Sequence, residues 1–128
     1  MTLFTGAATA LVTPFKEGKV DFPSFGRLID WQINQGIDAL VICGTTGEAS
    51  TLNDDEHVET VRYAIRKTAG RVPIIAGAGS NDTHHAIEMS KALEQEGADG
   101  LLLVTPYYNK CTQKGLVIHY NAIADHIN

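Results

Sequence analysis

Four short apolar segments without a charged residue recur along the chain, at residues 8–12, 39–43, 72–76 and 101–104. A continuous apolar run is typical of a strand buried on both faces of a parallel sheet, whereas a half-exposed strand alternates. Parallel strands need long crossover connections, and each segment is followed by a stretch with the apolar spacing of an amphipathic helix. The chain is therefore predicted to repeat a strand-helix unit four times.

Each predicted helix begins after a polar residue whose side chain can accept a hydrogen bond from the first turn. Glu56 stands three residues after one of these caps and completes a capping-box pattern. The apolar pattern of the fourth helix continues to Ile127, so we expect that helix to run to the end of the given sequence. The expected caps are Asp21, Asn53, Asn81 and Thr112.

Residues 35–42 and 96–103 nearly repeat each other, and each copy passes from a helix-ending glycine, Gly36 or Gly97, into an apolar strand. Parallel strands joined by crossover helices leave two α/β folds, an open doubly wound sheet and a closed TIM (β/α)8 barrel. A whole barrel needs about 250 residues, so four units make half of one. We interpret residues 1–128 as the N-terminal half of a single barrel domain whose remainder is absent from this chain.

Composition argues against several classes of binding partner. With 10 Lys and Arg against 15 Asp and Glu, the chain lacks the cationic surplus that nucleic acid binding needs. Cys43 and Cys111 fit no disulfide framework or metal-ligand spacing, and none of the five histidines has a suitable partner. Pro14 interrupts the apolar N-terminal segment before it reaches membrane length. We expect a cytoplasmic protein without a membrane segment, a bound metal or a nucleic acid partner.

Each predicted strand is followed by a polar or glycine-rich loop, at residues 13–14, 44–48, 77–81 and 105–109. The carboxyl ends of parallel strands lie on one side of the sheet, where α/β proteins bind their ligands. The loop at residues 44–48 places two glycines around Thr45 and Thr46, an arrangement that can aim N–H groups and hydroxyls at a carboxylate or phosphate. A plain turn with threonine caps explains this loop equally well. Residues 77–81 are better explained as a tight turn that Asn81 caps.

Tyr107 and Tyr108 follow the fourth strand on a loop that should be exposed, where large aromatic rings need either a packing partner or a chemical role. A tyrosine hydroxyl can pass protons when a second hydroxyl relays them, and Thr46 is a candidate for that second group. A subunit interface or a cover over the barrel end is an equally good explanation of the two rings.

Three stretches taken together resemble one family: GTTGEASTL at residues 44–52, VPIIAG at residues 72–77 and VTPYYNK at residues 104–110. They closely resemble the 4-hydroxy-tetrahydrodipicolinate synthases, also called dihydrodipicolinate synthases, and the similarity runs over all 128 residues. The resemblance implies a (β/α)8 barrel of the class I aldolase type without metal or organic cofactor. It also implies condensation of pyruvate with L-aspartate 4-semialdehyde, in lysine biosynthesis, through an imine between pyruvate and a lysine amine.

The resemblance also assigns roles to individual residues. Thr45 and Thr46, with the adjoining backbone amides, would hold the pyruvate carboxylate, and Thr46 and Tyr108 would belong to a proton relay. The tyrosine would reach into the site of a neighbouring subunit, with Tyr107 at the dimer contact, so a homo-oligomer built as a dimer of dimers is implied. The family's imine-forming lysine lies on the sixth strand, outside this chain. We therefore expect the 128 residues alone to be inactive.

Some members of the family are inhibited by lysine, and five positions of this chain match the allosteric pocket that binds it. Asp54 and His85 stand where some of those enzymes have a histidine and a glutamate, and Cys111 replaces a usual proline. The resemblance therefore leaves feedback inhibition open. The matching residues are Ala49, Ser50, His57, Asn81 and Tyr107.

Two other interpretations remain open. N-acetylneuraminate lyases and keto-deoxy sugar acid aldolases share the glycine-threonine loop and the imine chemistry, although Thr46 with the two tyrosines favours the synthase. A half barrel without catalysis would instead be a binding or assembly module. Such a module would expose two sheet edges and an apolar face, so it should aggregate, pair with itself or require its other half.

Overall fold

A four-stranded parallel sheet, with a helix after each strand, forms the body of the protein in a computed structural model that describes residues 2–128. The four predicted strands and four predicted helices are confirmed, with strand ends shifted by at most two residues. The elements are β1 (Ala8–Ala10), β2 (Phe15–Lys16), β3 (Lys19–Val20), α1 (Phe22–Asn34), β4 (Ala39–Ile42), α2 (Asp54–Thr68), β5 (Ile74–Gly77), α3 (Thr83–Gln95), β6 (Gly100–Leu102) and α4 (Gln113–Ala124).

The strand order decides between the two folds that the sequence left open. The sheet runs β1-β4-β5-β6, so spatial order follows chain order and every neighbouring pair is parallel. Because crossovers between parallel strands are right-handed, this order places all the helices on the same face. A doubly wound sheet reverses its order and carries helices on both faces. The arrangement is that of consecutive units of a (β/α)8 barrel.

The repeated sequence segments perform the same structural task. Asp38 Oδ2 accepts a 2.8 Å hydrogen bond from the amide of Ala7, beside the start of β1. Asp99 Oδ2 accepts a 2.8 Å hydrogen bond from the amide of Ile74, the first residue of β5. In both cases the aspartate amide also donates back to the carbonyl of the same residue. Each repeat therefore fixes the beginning of the strand that precedes it in the sheet.

The core lies between the sheet and the helices. Leu40, Ile42 and Ile74 from the strands are buried together with Ile29 and Leu93 from the helices. Each such side chain contributes about 1.5–3 kcal/mol when it is removed from water. The opposite face of the sheet carries none of the helices, its edge strands are β1 and β6, and the exposed apolar residues in or beside the strands include Val12, Leu102 and Val104.

Three of the four expected caps are confirmed. Asp21 and Thr112 accept hydrogen bonds from the first turns of α1 and α4, and Asn53 and Glu56 form both bonds of a capping box at α2. The prediction for α3 was wrong, because Asp82 and not Asn81 is its cap. The Asp82 carboxylate lies one residue closer to the helix and accepts from the amides at the start of α3.

Two further expectations need correction. The fourth helix ends at Ala124 and does not continue to Ile127, because Asp125 forms its C-terminal cap. The sequence analysis also missed the β2-β3 hairpin, whose two-residue turn has φ of 53° at Glu17 and 75° at Gly18. The glycine of that turn was its only local signal. No helix in the described part of the chain is both long and apolar enough to cross a bilayer.

Candidate functional site

A cleft of about 810 Å³ lies beside the carboxyl ends of β4, β5 and β6, between α2 and α3. Its wall includes residues 43–45 after β4, residues 78–80 after β5 and residues 103–104 after β6. The prediction that the loops after successive strands meet on one side of the sheet is thereby confirmed for these three strands. The loop after β1 joins this group through a hydrogen bond from Thr13 to Gly47.

The loop at residues 44–48 is a tight turn with outward-facing donors. Gly47 and Glu48 donate their amides back to the carbonyls of Gly44 and Thr45, at 3.0 and 3.1 Å, which closes the turn. The amides of Thr45 and Thr46 bind no other backbone group within residues 2–128, and both side chains are exposed. Adjacent free N–H groups in a turn form a concave site for an anion.

Thr13 holds this loop in place from the end of the first strand. Thr13 is 5% exposed, and its hydroxyl donates a 2.7 Å hydrogen bond to the carbonyl of Gly47. A Cβ at Gly47 would lie 3.1 Å from the carbonyl oxygen of Leu11, so the loop sits tightly against the chain after β1. The sequence analysis gave Thr13 no role, and its position directly after an apolar run was the one available signal.

Gly77, the last residue of β5, and Gly79 beyond it allow neighbouring strand ends to approach each other. A Cβ at Gly77 would overlap the carbonyl group of Cys43, and one at Gly79 would overlap the amide of Val104. The glycine-rich stretch at residues 77–81 is therefore more than a turn. It lets the loops after β4, β5 and β6 form one continuous wall.

His57 is a buried titratable group of the cleft. It is 8% exposed, and its Nε2 lies 2.8 Å from the carbonyl oxygen of Gly77. Burial lowers the pKa of His57, and the hydrogen bond to Gly77 opposes this shift only in part. The neutral imidazole therefore donates from Nε2 to Gly77, which leaves Nδ1 as an acceptor.

His85 and Asp54 join α3 to α2 along the same cleft. His85 Nε2 lies 3.0 Å from Asp54 Oδ1, and both side chains are substantially exposed. At these two positions the resemblance indicated a difference from some of the lysine-inhibited members of the family. The carboxylate at this point of the cleft is thus already engaged by a side chain of the protein itself.

Residues 2–128 supply no activated nucleophile to the cleft. Cys43 lines it, but burial raises the pKa of this thiol to about 12, so the thiol stays protonated. Cys43 is 2% exposed and packs in the core. Among the six lysines none is buried or lines the cleft.

The aromatic loop after β6 projects away from the body of the chain. Tyr107 is 53% exposed and Tyr108 is 99% exposed, as the sequence predicted. Asn81 reaches this loop from the turn after β5, with Nδ2 3.2 Å from the carbonyl oxygen of Tyr107. The side chain that was expected to cap α3 therefore contacts the aromatic loop.

The structure separates the proposed site residues into two groups. Thr45 lines the cleft, whereas Thr46 and Tyr108 are exposed and are not among its lining residues. Within this single chain no hydrogen bond joins Thr46 to Tyr108 among the described residues. Of the five residues matched to the lysine pocket, four line the cleft and the fifth, Asn81, contacts one of them. The four are Ala49, Ser50, His57 and Tyr107.

These features define a partial (β/α)8 barrel whose candidate site lies at the carboxyl ends of its strands. Residues 3–128 match the model of the dihydrodipicolinate synthetase family. The chain belongs to this family. This agrees with the family resemblance in the sequence motifs.

Individual relatives agree with this assignment. A 4-hydroxy-tetrahydrodipicolinate synthase of Lachnoclostridium phytofermentans is 58% identical over 129 aligned residues, which cover 100% of this chain and 44% of that protein. A crystal structure of the chloride-inhibited dihydrodipicolinate synthase of Acinetobacter baumannii, complexed with pyruvate, is 51% identical with a TM-score of 0.96. That alignment covers 99% of this chain and 44% of the other.

A third relative carries a different ligand. The crystal structure of the Cyanidioschyzon merolae enzyme, with lysine bound, is 44% identical with a TM-score of 0.89, covering 93% of this chain and 41% of that one. The chain thus spans less than half the length of each of these relatives.

Proposed function

We propose that this chain is the N-terminal half of a (β/α)8 barrel that condenses pyruvate with L-aspartate 4-semialdehyde. The complete protein, meaning this chain with the remainder of its barrel, would form an imine between a lysine amine and the keto group of pyruvate, with loss of water. Removal of a methyl proton gives an enamine, whose attack on the aldehyde carbon restores the imine. The amino group of the former semialdehyde then attacks the imine carbon, which closes the ring and releases the lysine amine. The product is 4-hydroxy-tetrahydrodipicolinate.

The free amides of Thr45 and Thr46 carry this proposal. Two adjacent N–H donors in a fixed turn, together with the threonine hydroxyls, suit a small carboxylate such as that of pyruvate. The pyruvate complex of the related Acinetobacter baumannii enzyme supports the same choice of ligand. Thr46 also places a hydroxyl beside the bound keto acid, where a relay with Tyr108 of a neighbouring subunit would pass protons.

The remainder of the barrel has two tasks in this proposal. It contributes the lysine that this chain lacks, and it covers the open sheet face at Val12, Leu102 and Val104. Pairing of the edge strands β1 and β6 with further strands would also satisfy their free backbone groups. The 128-residue chain alone should therefore be inactive and prone to association.

Borohydride trapping tests the proposal directly. The complete protein and the 128-residue chain are incubated separately with pyruvate and borohydride, and intact masses are measured. We expect a covalent pyruvate adduct on the complete protein and none on the shorter chain. Absence of the adduct on the complete protein, or its presence on the shorter chain, would contradict the proposal.

Substrate assays separate the synthase from the related aldolases. The complete protein is assayed with pyruvate plus L-aspartate 4-semialdehyde, and separately for cleavage of N-acetylneuraminate and keto-deoxy sugar acids. Because all three enzyme classes form the imine, trapping alone does not distinguish them. Faster turnover of the sugar acids would replace the synthase with the aldolase alternative.

We further propose that the cleft between α2 and α3 receives L-lysine as an effector. The lysine complex of the related Cyanidioschyzon merolae enzyme and the clustering of Ala49, Ser50, His57 and Tyr107 support this assignment. The engaged carboxylate of Asp54 should weaken the binding of the ligand's ammonium group. Calorimetric titration of the complete protein with L-lysine, against L-norleucine as a control without the side-chain amine, tests it. Equal heats for the two amino acids would refute this assignment.

A further inference from the structure

The backbone around Tyr108 has an uncommon shape. Tyr108 has φ of 66°, and the amide of Asn109 donates a 2.8 Å hydrogen bond to the carbonyl of Tyr107. A three-residue turn with this bond and a positive φ at its centre is the rare, strained form of γ-turn. A strained turn persists where surrounding groups hold it in place.

Asn81 supplies such a group from another part of the chain. Its Nδ2 donates to the carbonyl oxygen of Tyr107 at 3.2 Å and lies 3.4 Å from Oδ1 of Asn109. The same side-chain amide therefore contacts the residues on both sides of Tyr108. Tyr108 itself is 99% exposed, so no packing of its own ring within this chain fixes the turn.

The position of Asn81 is itself well determined. It lies between Ser80, which is 6% exposed, and Asp82, the cap of α3. The amide of Asp82 donates to Ser80 Oγ at 3.1 Å, and Asp82 Oδ1 accepts from the amide of His84 at 2.9 Å. The turn after β5 thus presents the Asn81 side chain from a rigid base.

The beginning of the aromatic loop is fixed separately. The hydroxyls of Thr105 and Tyr120 lie 3.0 Å apart, which ties the residue three positions before Tyr108 to α4. This contact leaves the γ-turn itself unsupported. Asn81 is therefore the side chain that restrains the turn directly.

We propose that Asn81 is a positioning residue for Tyr108: its side-chain amide holds the turn at residues 107–109 in the shape that projects the Tyr108 ring out of its own chain. The proposal rests on the proposed function, because the proton relay of Tyr108 belongs to that function. Without the amide, the strained turn relaxes and the hydroxyl loses its fixed position. Misplacement of a reacting group lowers turnover more than it weakens substrate binding.

Hydrogen exchange of the complete protein tests whether Asn81 holds the turn at residues 107–109. In the Asn81→Ala variant we expect the amide of Asn109, which donates within the turn, to exchange at least about 10-fold faster, whereas Asn34→Ala, at an exposed asparagine on α1, leaves it unchanged. Asn81→Asp is a second variant of the same shape, in which a carboxylate faces the carbonyl of Tyr107 and should speed exchange further. Unchanged exchange in both Asn81 variants would overturn the proposal.

Kinetics test whether the effect acts through Tyr108. We expect Asn81→Ala to lower kcat about 10-fold to 100-fold with little change in KM for pyruvate and no change in borohydride trapping. In a Tyr108→Phe background the same substitution should change kcat less than about 2-fold, because residues that act through one another are not additive. An equal loss in both backgrounds would show that Asn81 acts elsewhere. Failure of pyruvate trapping in the unmodified protein would reject the proposed function. Hydrogen exchange would still test whether Asn81 positions Tyr108.

Discussion

The hydroxyl of Thr13 donates a 2.7 Å hydrogen bond to the carbonyl of Gly47, and so links the chain after β1 to the loop that carries Thr45 and Thr46. The bond is buried and joins residues 34 positions apart. A carboxylate-binding loop needs fixed donors, because ordering a flexible loop on binding costs free energy. This bond supplies part of that fixed geometry.

Thr13→Val should destabilise the protein by about 1–3 kcal/mol, because it leaves the buried Gly47 carbonyl without a donor while keeping the shape of the side chain. Chemical denaturation measures this loss. Thr68→Val is the matched control, since the Thr68 hydroxyl is buried without a partner among the described residues. That substitution should be neutral or stabilising. Equal losses for the two variants would contradict this account.

The buried imidazole of His57 should make stability depend on pH. Because burial lowers its pKa below the ordinary value of 6.5, the unfolded chain takes up the proton first as the pH falls. The stabilisation that the neutral His57 provides is fully present above about pH 6.5, and the free energy of unfolding decreases as the pH falls below this value. His57→Gln keeps a donor for the Gly77 carbonyl and should flatten this slope. The exposed His84→Gln should leave it unchanged, and equal slopes in all three proteins would refute the assignment to His57.

Gly77→Ala should cost at least about 2 kcal/mol, because the added Cβ overlaps the carbonyl group of Cys43 and forces two parallel strands apart. Gly44→Ala is the control, since its Cβ would lie 3.5 Å from the nearest atom of Val41, an ordinary contact. Thermal unfolding of the two variants compares them. A Gly77→Ala protein as stable as the control would show that the strand ends can separate freely.

In the complete protein, Tyr108→Phe and Thr46→Val should each lower kcat by about 100-fold or more, because each removes one hydroxyl of the proposed relay. Circular dichroism should show an unchanged fold, since both side chains are exposed. Tyr63→Phe removes a hydroxyl on α2, remote from the cleft lining, and should keep normal turnover. A variant of Thr46 or Tyr108 with normal kcat would exclude that residue from the relay.

Much of the fold was predictable from local patterns. The uncharged apolar runs, Gly36 and Gly97 after their helices, and the capping box of Asn53 and Glu56 each report a preference that acts within a few residues. The choice between Asn81 and Asp82 as the cap of α3 could not be made from the neighbouring sequence. Both residues are good caps, and the competing contact of Asn81 with Tyr107 lies 26 positions away in sequence.

Part of the candidate site was also predictable from the sequence. Parallel topology brings the loops after successive strands together, so residues 43–45, 78–80 and 103–104 could be expected to meet. The hydrogen-bond partners of Thr13 and His57 could not be predicted, because they are backbone carbonyl groups, of Gly47 and Gly77, which carry no signal in the sequence. The proposed relay between Thr46 and Tyr108 would depend on contacts between chains, which no pattern within one chain encodes.

The paired aspartates also bear on how the barrel is built up along the chain. Asp38 secures β1 and Asp99 secures β5, so each aspartate joins one pair of neighbouring strands in the sheet, β1 with β4 and β5 with β6. Both hydrogen bonds of Asp38 go to Ala7, so they need no residue beyond Asp38 itself. Loss of either aspartate should therefore loosen its own pair of strands before it affects the other pair.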